Sequence, residues 1–353
     1  MNEVIFFAVF ISFIVGVLIL DLGVFNKDNH EVSFKEAAVW SGIWVTLSIA
    51  FFFFLRFHGD LVHGVDSFEE LQIIEKRYAE HVDIFPDNFE LSKYNYNKNM
   101  SVEFITGYVI EYALSADNIF VIILIFTSFS VHKRYYKRVL FWGILGALVM
   151  RFIFIFAGSA LIHRFEWILY VFGTFLLYTG LKLFFKKEED EAIDAQDHPV
   201  VKITSKYLPV YPRYVQERFF IRREGKLMVT PLFVVLLIIE FTDLIFAVDS
   251  VPAVFSVTRD PYVVFFSNIF AILGLRSMFF FLASIMDKLR YLKLGLAFLL
   301  TFIGIKMLFV HWLKELGFQP YHSLMIILAI LAISIIASLA NPISKETEKL
   351  DLP

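Results

Sequence analysis

Cysteine is absent from the 353 residues, which removes disulfides, thiolate metal ligands and cysteine nucleophiles together. Histidine is absent from the interior of every long apolar run. All nine (His30, His58, His63, His81, His132, His163, His198, His311 and His322) fall in connections or at the ends of such runs. No GxxxxGK[ST] loop occurs, which argues against direct ATP drive. Neither a Gly-x-Gly-Asp nor a His-Glu-x-x-His neighbourhood is present, which argues against an intramembrane protease, and no enzymatic activity is expected. The N-terminus lacks a basic stretch ahead of its first apolar run and a small-residue cleavage site, so residues 4–25 are expected to be retained as a span. A net charge of −3 speaks against nucleic acid as a partner.

Apolar residues fill the space left by these absences. They make up 58% of the chain, with 43 Phe and a mean hydropathy of +0.68, against roughly 45–50% apolar content in ordinary soluble domains. A hydrocarbon core about 30 Å thick takes roughly 20 helical residues to cross. Nine runs qualify, near 4–25, 37–57, 102–129, 139–162, 165–185, 229–257, 262–286, 291–313 and 320–341. The expected fold class is an all-α polytopic membrane protein lying in a lipid bilayer.

Basic residues orient the spans, because cytoplasmic connections retain positive charge. The connection "SVHKRYYKR" holds Lys133, Arg134, Lys137 and Arg138, residues 186–226 hold nine Lys or Arg, and "DKLRYLK" holds three, whereas the alternating connections are poor in them. Nine spans then run with the N-terminus out and the C-terminus in. Residues 1–57 supply the first two spans and 314–353 the last span and a cytoplasmic tail. Residues 58–101 form an extracytoplasmic insertion with nine Asp or Glu against four Lys or Arg, either a solvated cap or a cation-attracting vestibule. Its stretch "FEELQIIEKRYAEHVDIF" is amphipathic enough for a short helix. Residues 186–226, opening "KKEEDEAIDAQDHP", are expected to hang as a partly disordered cytoplasmic linker.

Between these segments the chain repeats itself. Asp117 in "DNIFV" and Asp243 in "DLIFA" are 126 apart, Arg151 and Arg276 are 125 apart, and "GLK" at 180–182 and "GIK" at 304–306 are 124 apart. Residues 102–185 and 227–313 therefore correspond as two three-helix units, and the topology makes one the inverse of the other. Inverted repeats are common in secondary transporters, whose substrates bind near the midplane where the units meet.

Glu111, Asp117, Glu240, Asp243, Asp249, Arg151 and Arg276 all lie within these six spans. On insertion scales seven such groups cost about 20 kcal/mol before any pairing. Buried ion pairs that only fix helix register are the bland account, but two arginines leave three of the five carboxylates uncompensated. A cation, protons or both are expected to make up the difference. With neither imidazole nor thiolate at this depth, the donors are carboxylate, amide, hydroxyl and carbonyl oxygen, a set suited to Mg²⁺, Ca²⁺ or Mn²⁺.

Glu240 and Asp243 (i, i+3) share a helix face, as do Glu111 and Ser115 (i, i+4). Asp117 and Asp249 each lie six residues past an acid, about 120° off that face in a straight helix. Convergence on one site then calls for a bend, which Pro252 or the "LSADN" stretch could supply. Asn118 and Asn268 offer neutral oxygens or interhelical hydrogen bonds. Ser115 and Ser250 are supporting hydroxyls, and Arg151 and Arg276 are partners that hold the carboxylates. Lys182 and Lys306, near span ends, are expected to snorkel. Asp21 in "LDLGVF" suits an ion entrance or an interfacial anchor.

"EYALSADNIFV", "EFTDLIFAVDSVPAVFSVTRDP", "SNIFAILGLRSMFF" and "FIGIKML" together resemble the TerC/Alx family of bacterial membrane proteins, relatives of the LysE-type transporters. The likeness runs from Val102 to Val310, and "LDLGVF" extends it toward the N-terminus. The resemblance implies Mn²⁺ export across the bacterial inner membrane, either relieving cytoplasmic excess or supplying exported enzymes, and the family name derives from tellurium resistance. It assigns the metal to Glu111, Asp117, Asn118, Glu240, Asp243 and Asp249. Protons are the expected coupling ion, Ca²⁺ a possible second substrate, and the acidic insertion between the second and third spans leaves membrane or exported protein partners open.

Overall fold

In hydrocarbon every backbone polar group must be satisfied within its own segment, so long apolar runs close into helices. The computed structural model describes residues 3–25, 33–79, 82–165, 167–185, 199–223, 226–284 and 291–341. α1 (Glu3–Phe25) and α2 (Phe34–His58) lead into two short helices, α3 (Asp60–His63) and α4 (Phe68–Tyr78). α5 (Phe89–Ser128), α6 (Tyr136–Arg164) and α7 (Ile168–Phe185) follow. Next come α8 (Pro199–Tyr207), an antiparallel hairpin of β1 (Phe220–Arg223) and β2 (Lys226–Val229), α9 (Pro231–Phe255) and α10 (Pro261–Ala283). α11 (Leu292–Leu308), α12 (Val310–Glu315) and α13 (Pro320–Ala340) complete the chain. Each of the nine expected runs contains a helix, and the run at 291–313 divides at Phe309 into α11 and α12. Among the described residues, α1, α2, α5, α6, α7, α9, α10 and α13 are long and apolar enough to cross a membrane, while α11 has 17 residues.

Three elements depart from the sequence expectation. α5 begins at Phe89, not near 102, because Asn88 caps it by accepting from Leu91 N–H at 3.0 Å and because Ser92, Tyr96, Asn97 and Met100 continue a buried stripe at helical spacing. Its 40 residues span about 60 Å, roughly twice the hydrocarbon core, so the end of the acidic insertion is a helical extension on which α3 and α4 pack.

The second departure is that α5 and α9 run unbroken. Pro252 falls in the last turn of α9, where a missing N–H removes one late helical bond and leaves the path intact. The third concerns the expected loose linker. Residues 199–223 and 226–230 fold, with β2 pairing β1 on one side and bridging to Val210 on the other, while Thr230 donates to Arg218 O at 2.7 Å. Residues 186–198 of that linker lie outside the described residues, as do 285–290 of "DKLRYLK" and the tail beyond 341. The side chain of Asp21 is likewise outside them.

α10 is buried on nearly every face, its polar Ser267, Asn268, Arg276 and Ser277 included, and forms the centre of the bundle, packed by α2, α5 and α6. Phe10 sits 4.4 Å from Phe266, and Phe51 sits 4.8 Å from Phe270 and 5.1 Å from Phe104, ring centre to ring centre. These rings clamp α1 and α2 onto α10 and α5. α7 and α11 instead meet through glycine. A Cβ at Gly180 would lie 2.6 Å from Thr301 N and 3.0 Å from Ala297 O, and one at Gly304 would lie 2.5 Å from Leu177 N and 2.8 Å from Gly173 O. The two contacts are reciprocal, since Gly180 and Gly304, Leu177 and Thr301, and Gly173 and Ala297 are all 124 residues apart. Backbones approach this closely only where side chains are missing.

At the end of the bundle where α9 meets α10, His63 is buried between carboxylates. Its Nε2 is 2.8 Å from Asp260 Oδ2 and its Nδ1 3.6 Å from Glu3 Oε1, with Tyr78 stacked on one side of the ring. Burial disfavours the imidazolium, but the Asp260 and Glu3 charges overcome it and lift the histidine from 6.5 to about 9.

Gly304→Ala is expected to wedge α7 from α11 and destabilise the detergent-solubilised protein by about 1–3 kcal/mol, read as a lowered Tm. Gly16→Ala, where a Cβ meets nothing within 4 Å, leaves the Tm unchanged. For His63 the folded value lies above the ordinary one, so its stabilisation is complete below pH 6.5 and fades as pH rises through about 9. The Tm gap between wild type and His63→Gln should therefore be wide at pH 6 and narrow by pH 10; a gap that widens with pH contradicts the assignment.

Candidate cation site between the central helices

Arg151 projects from the middle of α6 with no part of its side chain exposed. Nη1 pairs with Glu111 of α5, donates to Asn268 Oδ1 of α10 at 2.6 Å and reaches Ser250 Oγ of α9 at 3.3 Å. Nη2 lies 3.4 Å from Asp243 Oδ1, also on α9. Asn268 is oriented by donating its own Nδ2 to Val264 O at 3.0 Å, which leaves its carbonyl for the guanidinium. One buried cation thus ties four helices, using the planar fork that distinguishes arginine from lysine.

The pairing is incomplete on the acidic side. Glu111 Oε2, Asp243 Oδ2, Ser115 Oγ and Asn118 Nδ2 are buried with no protein hydrogen-bond partner, as is Arg151 Nε. Buried polar atoms are seldom left so. Asn118, Thr242 and Asp243 also line a cavity of about 30 Å³ whose other walls, including Ile122, Leu140, Ile144 and Ile239, are apolar. A space of this size admits a small polar occupant. Two carboxylates against one guanidinium leave one formal negative charge there.

The other predicted residues lie apart from this cluster. Because α5 and α9 do not bend, the 120° offset of Asp117 and Asp249 is preserved. Asp249 is half-buried, with Oδ1 3.5 Å from Thr179 Oγ1 of α7, and the Asp117 charge acts on it. Glu240 lies against Gly146 of α6, where any Cβ would overlap its carboxylate, and the Asp243 charge acts on it. Arg276 is buried on α10. Among the described residues no three His, Asp or Glu side chains are grouped to hold one ion. Of the predicted residues, Glu111, Asp243, Ser250 and Asn268 are brought together at Arg151, and the other carboxylates lie outside that group.

Gly146 and Thr179 were not singled out by sequence. Thr179 directly precedes the repeated "GLK", and Gly146 is one of two small residues spaced three apart in "GILGAL", faint signals that pointed equally to helix packing. Lys182 is exposed, whereas Lys306 is half-buried in the wall of a larger cavity of about 160 Å³ near Thr258.

A bundle of membrane-length helices around a buried charged centre defines a polytopic integral membrane protein. The chain belongs to the integral membrane protein TerC family, whose model matches residues 96–346. It is 40% identical over 344 residues to an uncharacterized membrane protein, STKORF319, of Myxococcus xanthus, covering 98% of this chain and 95% of that one. It is 41% identical over 308 residues to the Escherichia coli K12 protein Alx, described as a candidate membrane-bound redox modulator, covering 86% and 84%. The Alx protein of Salmonella typhi, similarly described, is 42% identical over 308 residues, covering 86% and 84%. No solved structure matches the chain.

Arg151→Gln removes the only counter-charge shown on Glu111 and should destabilise the fold by about 3–5 kcal/mol. Adding Glu111→Gln is expected to restore most of that loss. A cycle of thermal unfolding on the four proteins measures the coupling, and additive losses would mean that the pair does not act as a unit.

Proposed function

We propose that the protein is a secondary transporter that exports Mn²⁺, with Ca²⁺ as a second substrate, from the cytoplasm of a bacterial cell across its inner membrane in exchange for protons. The observation that carries this proposal is the Arg151 centre. There Glu111 Oε2 and Asp243 Oδ2 are buried without protein donors beside a small cavity that Asn118 also lines. Oxygen donors alone suit a hard divalent ion. Asp117 and Asp249 on the α7 side, and Glu240 against α6, would serve as further stations, so that an ion moves between carboxylates and is not held in one closed cage. Metal binding to carboxylates displaces protons, which makes exchange the natural coupling.

The reciprocal glycine contacts of α7 and α11 support two inverted units, α5 to α7 and α9 to α11, that rock against one another. The basic connections support an N-terminus outside and a C-terminus inside. The description of the Alx proteins as redox modulators transfers poorly as thiol chemistry, because this chain has no cysteine. A change in the metal pool would alter cellular redox balance without one. No catalytic step is needed in this function.

The test is ⁵⁴Mn flux in proteoliposomes with and without a pH gradient, with Ca²⁺ and Mg²⁺ as competitors. Flux that the gradient accelerates is expected. Asp243→Asn and Asp117→Asn should each lower it at least about tenfold, the loss of one charged interaction near 1.4 kcal/mol or more. A non-transporting scaffold for tellurium resistance or for metalation of exported proteins would keep its phenotype in both variants. Absence of Mn²⁺ flux from folded, oriented protein overturns the proposal.

A further inference from the structure

We infer that the folded residues 199–223 and 226–230 form a binding surface for the headgroups of anionic phospholipids in the leaflet they border. The segment is fixed at the membrane boundary. β2 ends at Val229, two residues before α9 begins at Pro231, and the Phe220 ring lies 4.6 Å from Phe233 in the first turn of that helix. Tyr214 OH donates to Phe129 O at 2.6 Å, tying the segment to the end of α5 as well.

Its exposed charge is almost all of one sign. Lys202 and Lys206 on α8, Arg213 in the connection, and Arg222, Arg223 and Lys226 on the hairpin are exposed. By sequence the segment from 199 to 230 has seven Lys or Arg against two acids, Glu217 and Glu224, and Glu217 faces Arg138 at 3.8 Å. Retention of basic residues on the cytoplasmic side explains their number, but it does not explain their arrangement on a folded hairpin. Arg223, the direct cross-strand partner of Lys226, donates to Tyr211 OH at 2.9 Å, which pairs a guanidinium with an aromatic side chain.

Arg222 is the cross-strand partner of Leu227, so one face of the ribbon presents a guanidinium beside an aliphatic side chain. Leu227 is 63% exposed, Tyr207 74% and Phe220 48%. Cations adjoining apolar and aromatic side chains match a headgroup boundary, where phosphate meets acyl chain. An acidic protein would satisfy the charge but leave the apolar rim facing lipid, so a lipid is the favoured occupant. Each basic residue near an anionic leaflet contributes roughly a fivefold gain in binding. This surface is independent of the transport proposal and stands or falls separately.

The full-length protein in detergent, incubated with phosphatidylglycerol or phosphatidylcholine and examined by native mass spectrometry, tests it. Wild type should retain phosphatidylglycerol in preference, and the Arg222→Gln/Arg223→Gln/Lys226→Gln variant should retain it about tenfold less or worse, with phosphatidylcholine unaffected. If that variant does not fold, Lys202→Gln/Lys206→Gln gives the same reading with a smaller loss. Lys76→Gln/Arg77→Gln, on α4 at the opposite end of the bundle, should match wild type. Equal retention of the two lipids by wild type, unchanged retention in the folded variants, an equal loss in the α4 control, or full competition by free glycerol phosphate overturns the inference. A surface built for a protein partner gives the first of these results.

Discussion

Arg151 holds a full positive charge at the middle of a span with no exposed atom, and a charge so placed persists only inside a shell of carboxylates and amides. The requirement is geometric as well as energetic. Glu111, Ser250, Asn268 and Asp243 reach the guanidinium from α5, α9 and α10, so any movement of these helices must exchange the partners of a buried charge. The charge therefore sets the register, and the Phe contacts of α1, α2 and α10 fill in around it.

That constraint also explains where the bundle is rigid and where it is smooth. α10 carries Asn268 and lies at the centre, held on several sides. α7 and α11, farther from the guanidinium, meet through Gly173, Gly180 and Gly304 and have no ion pair between them among the described residues. A glycine seam allows close backbone contact without interlocked side chains. Asp249 is opposite Thr179 on that side, so one acidic station borders the smoother seam while Glu111 and Asp243 remain at the locked centre.

Much of this was legible in the sequence because membrane spans obey few rules. Length and hydropathy identify nine helices, and each intramembrane charge is conspicuous against 43 Phe. The 120° offset of Asp117 and Asp249 followed from counting residues, and the structure keeps it. What failed was the assumption that the helices must bend to cancel it. Pro252 looks like a break, but a proline only three residues from the end of α9 does not disturb the helix before it. The central position of Arg151 was not legible, since spacing along one helix says nothing about which of two arginines enters a cluster built by three others. Nor was the folding of 199–223 and 226–230, whose strands are held by Thr230, Tyr214 and Phe233, contacts far apart in sequence. Gly146 and Thr179 carry no chemistry of their own, and only the acids opposite them give them meaning.

Charge balance limits the cycle such a centre can run. Arg151 offsets one of the two carboxylates it contacts, and a divalent ion brought to the remaining oxygens would leave the site with a net positive charge deep in hydrocarbon. Protons on Glu111 or Asp243 would have the same effect in the metal-bound state, so metal and protons exclude one another there. Exchange of one divalent ion for two protons keeps the buried charge at +1 in both loaded forms, whereas the empty centre stands at −1, so a path through the empty form swings the buried charge twice and a path that couples release of one ion to uptake of the other avoids that swing.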